Sequence, residues 1–398
     1  MRLNGDLSRR SFLKLAGAAS ASLALPHLSG VGRSQISSAA PIIVDAHVDL
    51  GYNIVNFGRD YTRSALDIRA DTAGTPAQRV QGQAMLGLPE LLAGRMALVW
   101  GVIYVMPQSS VRSPLQIANY GSPDEAAAWG QVMHEAILDF IASSDHLMLV
   151  KNQTDLDVVL ESWEQDIPDE ERRVGVMLAM EGADPIRSPD ELAAWYAGGL
   201  RSVGLSWGRT QYAGSNSMDG PLTTAGVELL ERMREYNMIF DTAHLSEAAF
   251  WDAMSVWDDV VVNSHSALRH YLPTERGFSD DQIRAIIERD GVFGIGLYNG
   301  FYEQNTRNAF LIVLDDVLDA ITYVCELAGN CDHVAIGSDL DGGFGAELAP
   351  QGIDTIADLQ QIPTGLKLRG FSDAQIDAIC HGNWLRILRQ SLPEGVIK

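Results

Sequence analysis

Three of the nine histidines, His47, His244 and His265, each follow a short apolar run of the sequence. Two acidic residues, Glu181 and Asp339, lie at the ends of two further apolar runs. Imidazole nitrogens and carboxylate oxygens are the groups that bind divalent metal ions such as zinc. Burying several of them in one pocket is costly unless a positive charge compensates them, so their recurrence after apolar runs favours a metal centre.

Asp49 is a sixth candidate, because it lies two residues after His47. Side chains two positions apart in an extended strand point to the same side, so both residues would face one metal ion. A lone histidine after a strand is more often structural, and His-x-Asp alone is a weak motif. The combination with four other groups, each on its own predicted strand, makes metal chemistry the favoured interpretation.

Eight apolar runs are expected to be the strands that position these groups. Each run is rich in Val, Ile, Leu or Met with little polar alternation, which is typical of parallel strands buried on both faces. The predicted strands span 41–46, 97–105, 174–180, 200–206, 237–242, 259–264, 291–298 and 333–338. Helical patterns lie between them at 123–143, 154–165, 189–197, 223–235, 246–256, 279–289 and 312–328.

This alternation predicts an α/β fold, a closed (β/α)8 barrel of the TIM type. In such a barrel the carboxyl ends of all strands open on one face, so groups that are distant in sequence converge there. The segment 339–370 is expected to be irregular, and 372–391 is expected to form a final helix. Because no internal repeat or low-complexity linker interrupts 41–398, we interpret it as a single domain.

The first forty residues have the features of an export signal. Arg9-Arg10 precedes a weakly apolar run of small residues from Leu15 to Leu25, which is typical of a twin-arginine signal. The run is too short for a stable transmembrane helix. Small residues at Ser38 and Ala40 allow cleavage before Pro41. We therefore expect a periplasmic protein, or one otherwise exported by the twin-arginine route, with the translocation machinery as a partner.

Charge and cysteine content argue against several classes of protein. The net charge is −23, from 52 acidic and 29 basic residues, which disfavours binding to nucleic acid or to anionic membranes. The three cysteines, Cys325, Cys331 and Cys380, are an odd number without CxxC spacing and do not suggest a disulfide framework.

The motifs around the candidate residues resemble the renal, or membrane, dipeptidase family of binuclear zinc metallopeptidases. The resemblance covers about 41–390 and implies a barrel of the metal-dependent hydrolase kind. The segments that carry it are Asp45-Ala46-His47-Val48-Asp49-Leu50, Met180-Glu181-Gly182, Ser264-His265-Ser266, Gly337-Ser338-Asp339-Leu340-Asp341-Gly342 and Gly382-Asn383-Trp384-Leu385-Arg386.

The resemblance implies two zinc ions as cofactors and a ligand set for each of them. One ion would be bound by His47 and Asp49, and the other by His244 and His265. Glu181 would bridge the two ions.

The resemblance also implies an activity, namely a zinc-dependent dipeptidase acting on short peptides with a free C-terminal carboxylate. A hydroxide that bridges the metal ions would attack the peptide carbonyl. Asp339 would take up the proton of the water and deliver it to the leaving amine. Arg276 would bind the substrate carboxylate through a bidentate contact, although a surface ion pair is the simpler role for an arginine. A homodimer is compatible with this interpretation.

The sequence departs from the family pattern at two positions, and both departures concern the substrate. Trp207 stands where many members carry a histidine that contacts the substrate oxygen, and Gly277 follows Arg276 where the family has asparagine. Trp207 offers an N–H donor and a stacking face to a substrate, but packing over the barrel mouth is an equal alternative. Arg209 is a second candidate donor.

Two other functions remain open from the sequence. The chain could be a different binuclear amidohydrolase, which would use the same metal site to cleave a lactone, a lactam or an N-acyl amino acid. It could also be a binding protein on an enzyme scaffold that no longer catalyses, but the complete set of metal ligands argues against this.

Overall fold

The computed structural model describes residues 40–164, 166–303 and 309–395, and the predicted signal segment up to residue 39 lies outside this part. Eight parallel strands form the barrel, neighbouring one another in the order of the sequence, and each coincides with a predicted strand. They are β1 Ile43–Val48, β2 Met96–Tyr104, β3 Val174–Glu181, β4 Leu200–Gly204, β5 Ile239–Asp241, β6 Val261–Leu268, β7 Val292–Ile295 and β8 Val334–Ile336.

The first and last strands meet where the barrel closes. Val48 pairs with Leu340 in an isolated parallel bridge, and the N–H of Asp339 donates to the carbonyl oxygen of His47 at 3.1 Å. The carboxylate of Asp45 accepts a hydrogen bond from the N–H of Ser338 at 2.8 Å. The barrel is therefore nearly closed, which confirms the expected fold class.

Burial on both faces of the sheet explains the apolar character of the strands. Every residue of β1, β2, β3 and β6 is buried. Removing apolar side chains from water stabilises the fold by about 25 cal/mol per Å² of buried surface. The few polar residues within these strands are costly to bury there, and they belong mostly to the site described below.

The helices follow the predicted pattern in most of the chain. The predicted helix starts at Ser246 and Ser279 are confirmed, since each side chain accepts a hydrogen bond from an N–H of the first turn. Within the described residues there are fourteen α-helices, namely α1 Leu50–Phe57, α2 Ala65–Thr72, α3 Pro76–Gln81, α4 Leu88–Ala93, α5 Pro123–Ala142, α6 Gln153–Glu161, α7 Leu192–Ala197, α8 Thr224–Glu235, α9 Glu247–Val256, α10 Asp280–Ile287, α11 Leu314–Ala328, α12 Gln361–Leu368, α13 Asp373–Asp377 and α14 Asn383–Ser391.

Three differences from the prediction concern short helices, whose periodicity is weak. The first difference is that four short helices, α1 to α4, fill the connection between β1 and β2. α12 lies in the segment expected to be irregular, and its Gly365 packs against Leu318 so closely that an added Cβ would lie 2.4 Å from that side chain. A π-helical turn, Ala378–Gly382, divides the expected final helix into α13 and α14.

The three cysteines form one disulfide bond and no framework. A disulfide joins Cys325 in α11 to Cys331 in the turn before β8, while Cys380 is buried and free. No CxxC spacing marks this bond in the sequence, and it was not predicted.

Across 40–164, 166–303 and 309–395, none of the helices combines the length and the apolar character that crossing a membrane would require.

Candidate active site

Three of the candidate ligands surround a carboxylate oxygen of a fourth at the carboxyl end of the barrel. Glu181 is the last residue of β3, and its Oε1 lies 2.9 Å from Nε2 of His244 and 3.5 Å from Nε2 of His265. The Nε2 atom of His47, on β1, lies 3.8 Å from the same oxygen. The oxygen of Glu181 is therefore shared between imidazoles that reach it from different strands.

The remaining two acids approach this cluster from the side of His47. Oδ2 of Asp49 lies 3.6 Å from Nε2 of His47, and Oδ1 of Asp339 lies 3.9 Å from the same nitrogen. Asp49 stands at the N-cap position of α1, but its side chain makes no capping hydrogen bond. Its carboxylate is therefore available to the cluster.

Three overlapping groups of potential metal-binding atoms result, and within each group the atoms lie within 4.8 Å of one another. Glu181 belongs to two of these groups, one with His244 and His265 and the other with His47 and Asp49. A carboxylate that bridges two metal ions needs this position. The remaining group joins Asp339 to His47 and His265, so distance alone also allows Asp339 to be a ligand. The groups are Glu181, His244 and His265; His47, Asp49 and Glu181; and His47, His265 and Asp339.

The electrostatics of this cluster fit a bound cation. Nε2 of His47 is buried and has no hydrogen-bond partner among the described residues. Burial raises the pKa of Glu181, and it raises the pKa of Asp49 to about 6. Burial alone would lower the pKa of His47, but Glu181, Asp49 and Asp339 raise it to about 10. The negative charge of several buried carboxylates around this imidazole nitrogen needs compensation. A divalent metal ion would supply it.

His244 and His265 have the opposite tendency. Burial lowers the pKa of each well below its ordinary value, and the positive charges of Arg276 and His47 add to the effect. Both rings are therefore neutral, which is the form of histidine that binds metal ions.

A hydrogen-bond chain behind His265 determines which of its nitrogens faces the cluster. Nδ1 of His265 lies 2.9 Å from Oγ of Ser264, and that hydroxyl donates to Oδ2 of Asp241 at 2.5 Å. With the Ser264 proton committed to Asp241, Nδ1 carries the imidazole proton and Nε2 is left with its lone pair towards the cluster. We did not predict Asp241, although an acid inside a buried apolar run was a visible signal.

Asp45 holds the backbone of His47 rather than its ring. Its Oδ1 accepts from the N–H of His47 at 3.2 Å and from the N–H of Ser338 at 2.8 Å. Asp45 thus ties the end of β1 to the end of β8. It was also missed, and again the signal was an acid within an apolar run two residues before a histidine.

Backbone strain occurs at two of the candidate residues. His244 has a φ of 66° and Asp339 a φ of 62°, both in the left-handed region that non-glycine residues rarely adopt. Such a conformation costs about 1–3 kcal/mol and persists where the surroundings impose it, often at functional sites. At Gly342, an added Cβ would lie 2.0 Å from Oδ1 of Asp339, so this glycine makes room for the carboxylate.

Arg276 lies beside the cluster and is partly buried. Its Nη1 donates to Oγ of Ser266 at 2.7 Å, and its Nη2 lies 3.4 Å from Nε2 of His244. The guanidinium also stacks over the ring of Phe301 at 4.6 Å. Among the described residues, no carboxylate lies within ion-pair distance of it. Arg276 is therefore not part of a surface ion pair, and its charge is available to an anionic ligand.

Trp207 lies at the mouth of the same cluster. Its ring centroid is 5.1 Å from that of Tyr104 and 6.2 Å from that of His244. Trp207 is only partly buried. Arg209 instead donates to the carbonyl of Asp219 in the neighbouring hairpin and is exposed, so this candidate donor is not brought into the cluster.

Known proteins with the same pattern decide the family. The model of the membrane dipeptidase family, peptidase family M19, matches residues 34–393. The chain belongs to this family. The family expected from the sequence is thereby confirmed, together with the enzyme class that goes with it, a hydrolase of peptide bonds.

Individual relatives match only part of the chain, at moderate sequence identity. The chain is 33% identical over 208 residues to an uncharacterized protein in the pqqA 5′ region of Klebsiella pneumoniae, covering 50% of this chain and 75% of that protein. It is 31% identical over 222 residues to dipeptidase aclJ of Aspergillus oryzae, covering 54% of this chain and 51% of that protein. The chain spans about half the length of the curated dipeptidases that it matches.

Solved structures share the fold at lower identity. One is a metallo peptidase from Rhodobacter sphaeroides liganded with a phosphinate mimic of the dipeptide L-Ala-D-Ala, with a TM-score of 0.71 and 22% identity, covering 88% of this chain and 99% of that chain. Another is the probable dipeptidase PvdM from Pseudomonas aeruginosa, with a TM-score of 0.72 and 18% identity, covering 89% and 96%.

The export prediction is confirmed as well. Residues 6–26 match the model of twin-arginine translocation pathway signal sequences, and this stretch contains Arg9-Arg10. The signal supports export by the twin-arginine machinery and is consistent with a periplasmic location.

Proposed function

We propose that this protein is a zinc-dependent dipeptidase that binds two metal ions around Glu181 and hydrolyses short peptides with a free C-terminal carboxylate. The observation that carries the proposal is the shared Oε1 of Glu181, 2.9 Å from Nε2 of His244 and 3.8 Å from Nε2 of His47. A solved relative described as a metallo peptidase of family M19 supports the metal requirement.

The proposed ligands follow from the two groups that share Glu181. His47 and Asp49 would hold one ion, and His244 and His265 the other, with Glu181 between them. All five side chains are nearly inaccessible to solvent, with 1–9% exposure, so water competes weakly with the protein for the ions. The nitrogens and carboxylate oxygens are a donor set that zinc prefers.

Two zinc ions in this position would lower the pKa of a water molecule towards neutrality and polarise the peptide carbonyl. The chain itself must then manage the protons. Burial raises the pKa of Asp339 well above its ordinary value, and the neighbouring carboxylates of Asp49 and Glu181 raise it further. A carboxyl group with a raised pKa takes up a proton more readily than an ordinary aspartate, so we propose Asp339 as the acid/base residue.

Arg276 is proposed to bind the C-terminal carboxylate of the peptide. Its guanidinium has no carboxylate partner among the described residues, and it lies next to His244 at the edge of the cluster. A planar guanidinium binds a carboxylate through two parallel hydrogen bonds. This contact would favour short peptides with a free C-terminus, and Trp207, whose ring centroid lies 6.2 Å from that of His244, would contact the same substrate.

Metal analysis combined with a substrate panel tests the proposal. The purified protein should contain about two metal ions per chain, by analogy with other two-metal hydrolases, and chelation should abolish hydrolysis until zinc is restored. The panel contains dipeptides with L- or D-residues at the C-terminal position, N-acyl amino acids, a lactam and a lactone. Turnover confined to a lactone, a lactam or acylated amino acids would instead identify another amidohydrolase. Metal binding without any turnover would identify a binding protein.

Two broader features belong to the same proposal. We propose that 1–40 is removed as the signal segment and that 41–398 forms a single barrel domain. A homodimer also stays a prediction, and sedimentation of the mature protein would test it.

A further inference from the structure

Tyr104 has a buried hydroxyl that the fold does not use. It is the last residue of β2, it is 4% exposed, and its hydroxyl has no hydrogen-bond partner within the part of the chain that the structure describes. Burying an O–H group without a partner lowers the stability of the folded state. A group retained at such a cost calls for a ligand that can accept its hydrogen bond.

The register of the sheet aims this side chain at the active site. Tyr104 of β2 is the direct partner of Glu181 of β3 in the parallel pairing. Partners in register on neighbouring strands project to the same side of a sheet. The phenol therefore enters the barrel mouth beside the carboxylate that lies at the centre of the metal cluster.

The neighbouring rings hold the phenol in this direction. The Tyr104 ring contacts those of Tyr52, at 5.3 Å between ring centroids, and Trp207, at 5.1 Å. Burial raises the pKa of the hydroxyl and the negative charges of Glu181 and Asp49 raise it further, but neither carboxylate accepts a hydrogen bond from it. Turning the ring to point its hydroxyl elsewhere would disturb both of these ring contacts.

We propose that the hydroxyl of Tyr104 donates a hydrogen bond to the substrate oxygen that gains negative charge during peptide hydrolysis. This inference rests on the function proposed above. Attack on a peptide carbonyl moves an electron pair onto its oxygen, and a preorganised donor in a site shielded from water stabilises that charge. Tyr104 would thus be a catalytic residue, in addition to the metal ligands and Asp339.

Replacing Tyr104 with phenylalanine separates this role from a structural one. Tyr104→Phe keeps the ring and its packing, so zinc content should be unchanged and the melting temperature equal or higher, because an unpaired buried group is removed. The value of kcat/KM for a good dipeptide should fall by roughly 10²–10³, the usual effect of losing one such donor.

Tyr52→Phe is the matched control, since the Tyr52 hydroxyl accepts a hydrogen bond from Nε2 of Gln116 at 2.9 Å and contacts the sulfur of Met106. This variant should show the reverse behaviour, with a lower melting temperature and kcat/KM close to that of the wild type. Calorimetry with a dipeptide phosphinate, which mimics the tetrahedral state, should show weaker binding to Tyr104→Phe by about the same factor as the loss in kcat/KM.

The outcomes distinguish this inference from the function on which it rests. An active wild type with an equally active Tyr104→Phe variant overturns the role of the hydroxyl and leaves the dipeptidase proposal intact. Loss of zinc or of melting temperature in Tyr104→Phe overturns the role in favour of a structural one. A zinc-loaded wild type that neither hydrolyses dipeptides nor binds the phosphinate overturns both.

Discussion

Asp339 and His47 contact each other twice across the closure of the barrel. The N–H of Asp339 donates to the carbonyl oxygen of His47 at 3.1 Å, and Oδ1 of Asp339 lies 3.9 Å from Nε2 of His47. The backbone contact fixes the last strand against the first. The carboxylate of Asp339 therefore reaches the cluster around Glu181 from the turn after β8, and β8 carries none of the five proposed ligands.

Asp339→Asn is expected to separate metal binding from catalysis. Asparagine keeps a similar shape but cannot take up the proton, so the turnover rate should fall by roughly 10²–10⁴. Zinc content should stay near that of the wild type, because the five proposed ligands are unchanged. Elemental analysis and kinetics on the same preparation check this. Zinc loss together with activity would show instead that Asp339 is a metal ligand.

Arg276→Ala is expected to change substrate binding rather than metal binding. Removing the guanidinium should raise KM for free dipeptides, and much less for substrates whose C-terminus is amidated and has no carboxylate to bind. Arg284→Ala is the control, because Arg284 is exposed and pairs with Asp281 on α10, away from the cluster. Equal effects on the free and the amidated substrates would argue against a carboxylate contact.

Ser264→Ala is expected to weaken metal binding without touching a ligand. The hydroxyl connects Nδ1 of His265 to Asp241, and such outer contacts fix the orientation of a metal-binding histidine. Their loss usually lowers metal affinity or activity by about 10–100-fold. Competition with a chromophoric chelator measures the affinity directly. Wild-type affinity in this variant would mean that the ring of His265 is oriented by its packing alone.

The metal-free protein is expected to lose stability as the pH rises from about 7 to 9. Burial opposes a proton on His47, yet Glu181, Asp49 and Asp339 raise the pKa of this histidine to about 10. A group with a raised pKa in the folded state contributes stability that is complete below its unfolded pKa and disappears as the pH rises through the folded pKa. The loss amounts to about 1.4 kcal/mol per pH unit while the folded state keeps the proton.

Thermal unfolding of the chelated protein at several pH values measures this effect. The zinc-loaded protein should not show the decline, because the metal ion takes the place of the proton on His47. Chelated His47→Gln should also lose it, which makes this variant the control. A melting temperature of the chelated wild type that is constant or rises over this range would contradict the prediction.

Replacing Arg9-Arg10 with two lysines is expected to keep the protein in the cytoplasm. The charge of the segment is unchanged, but the twin-arginine signal is read by a receptor that recognises the arginines themselves. Cell fractionation followed by immunoblotting checks the location of the variant. Unchanged recovery from the periplasm would show that another route exports the chain.

The sequence by itself determined the strands and which of the candidate residues lie together at the end of the barrel. All eight strands were predicted because parallel strands buried on both faces must be apolar along their length. The polar residues that end these runs were visible for the same reason. Because the strands of a barrel end on one face, the convergence of His47, Glu181, His244 and His265 followed from the fold class alone.

Only the tertiary structure decided which other residues take part. Asp241, Asp45 and Tyr104 lie within or at the ends of apolar runs, and their partners come from other strands, so no local pattern shows what they contact. No local pattern shows α12 either, because its sequence contains Pro363 and Gly365. This helix is stabilised by packing on α11. Periodicity along the chain reports which side of an element is buried, whereas hydrogen bonds across the barrel depend on register and closure, which the folded chain alone fixes.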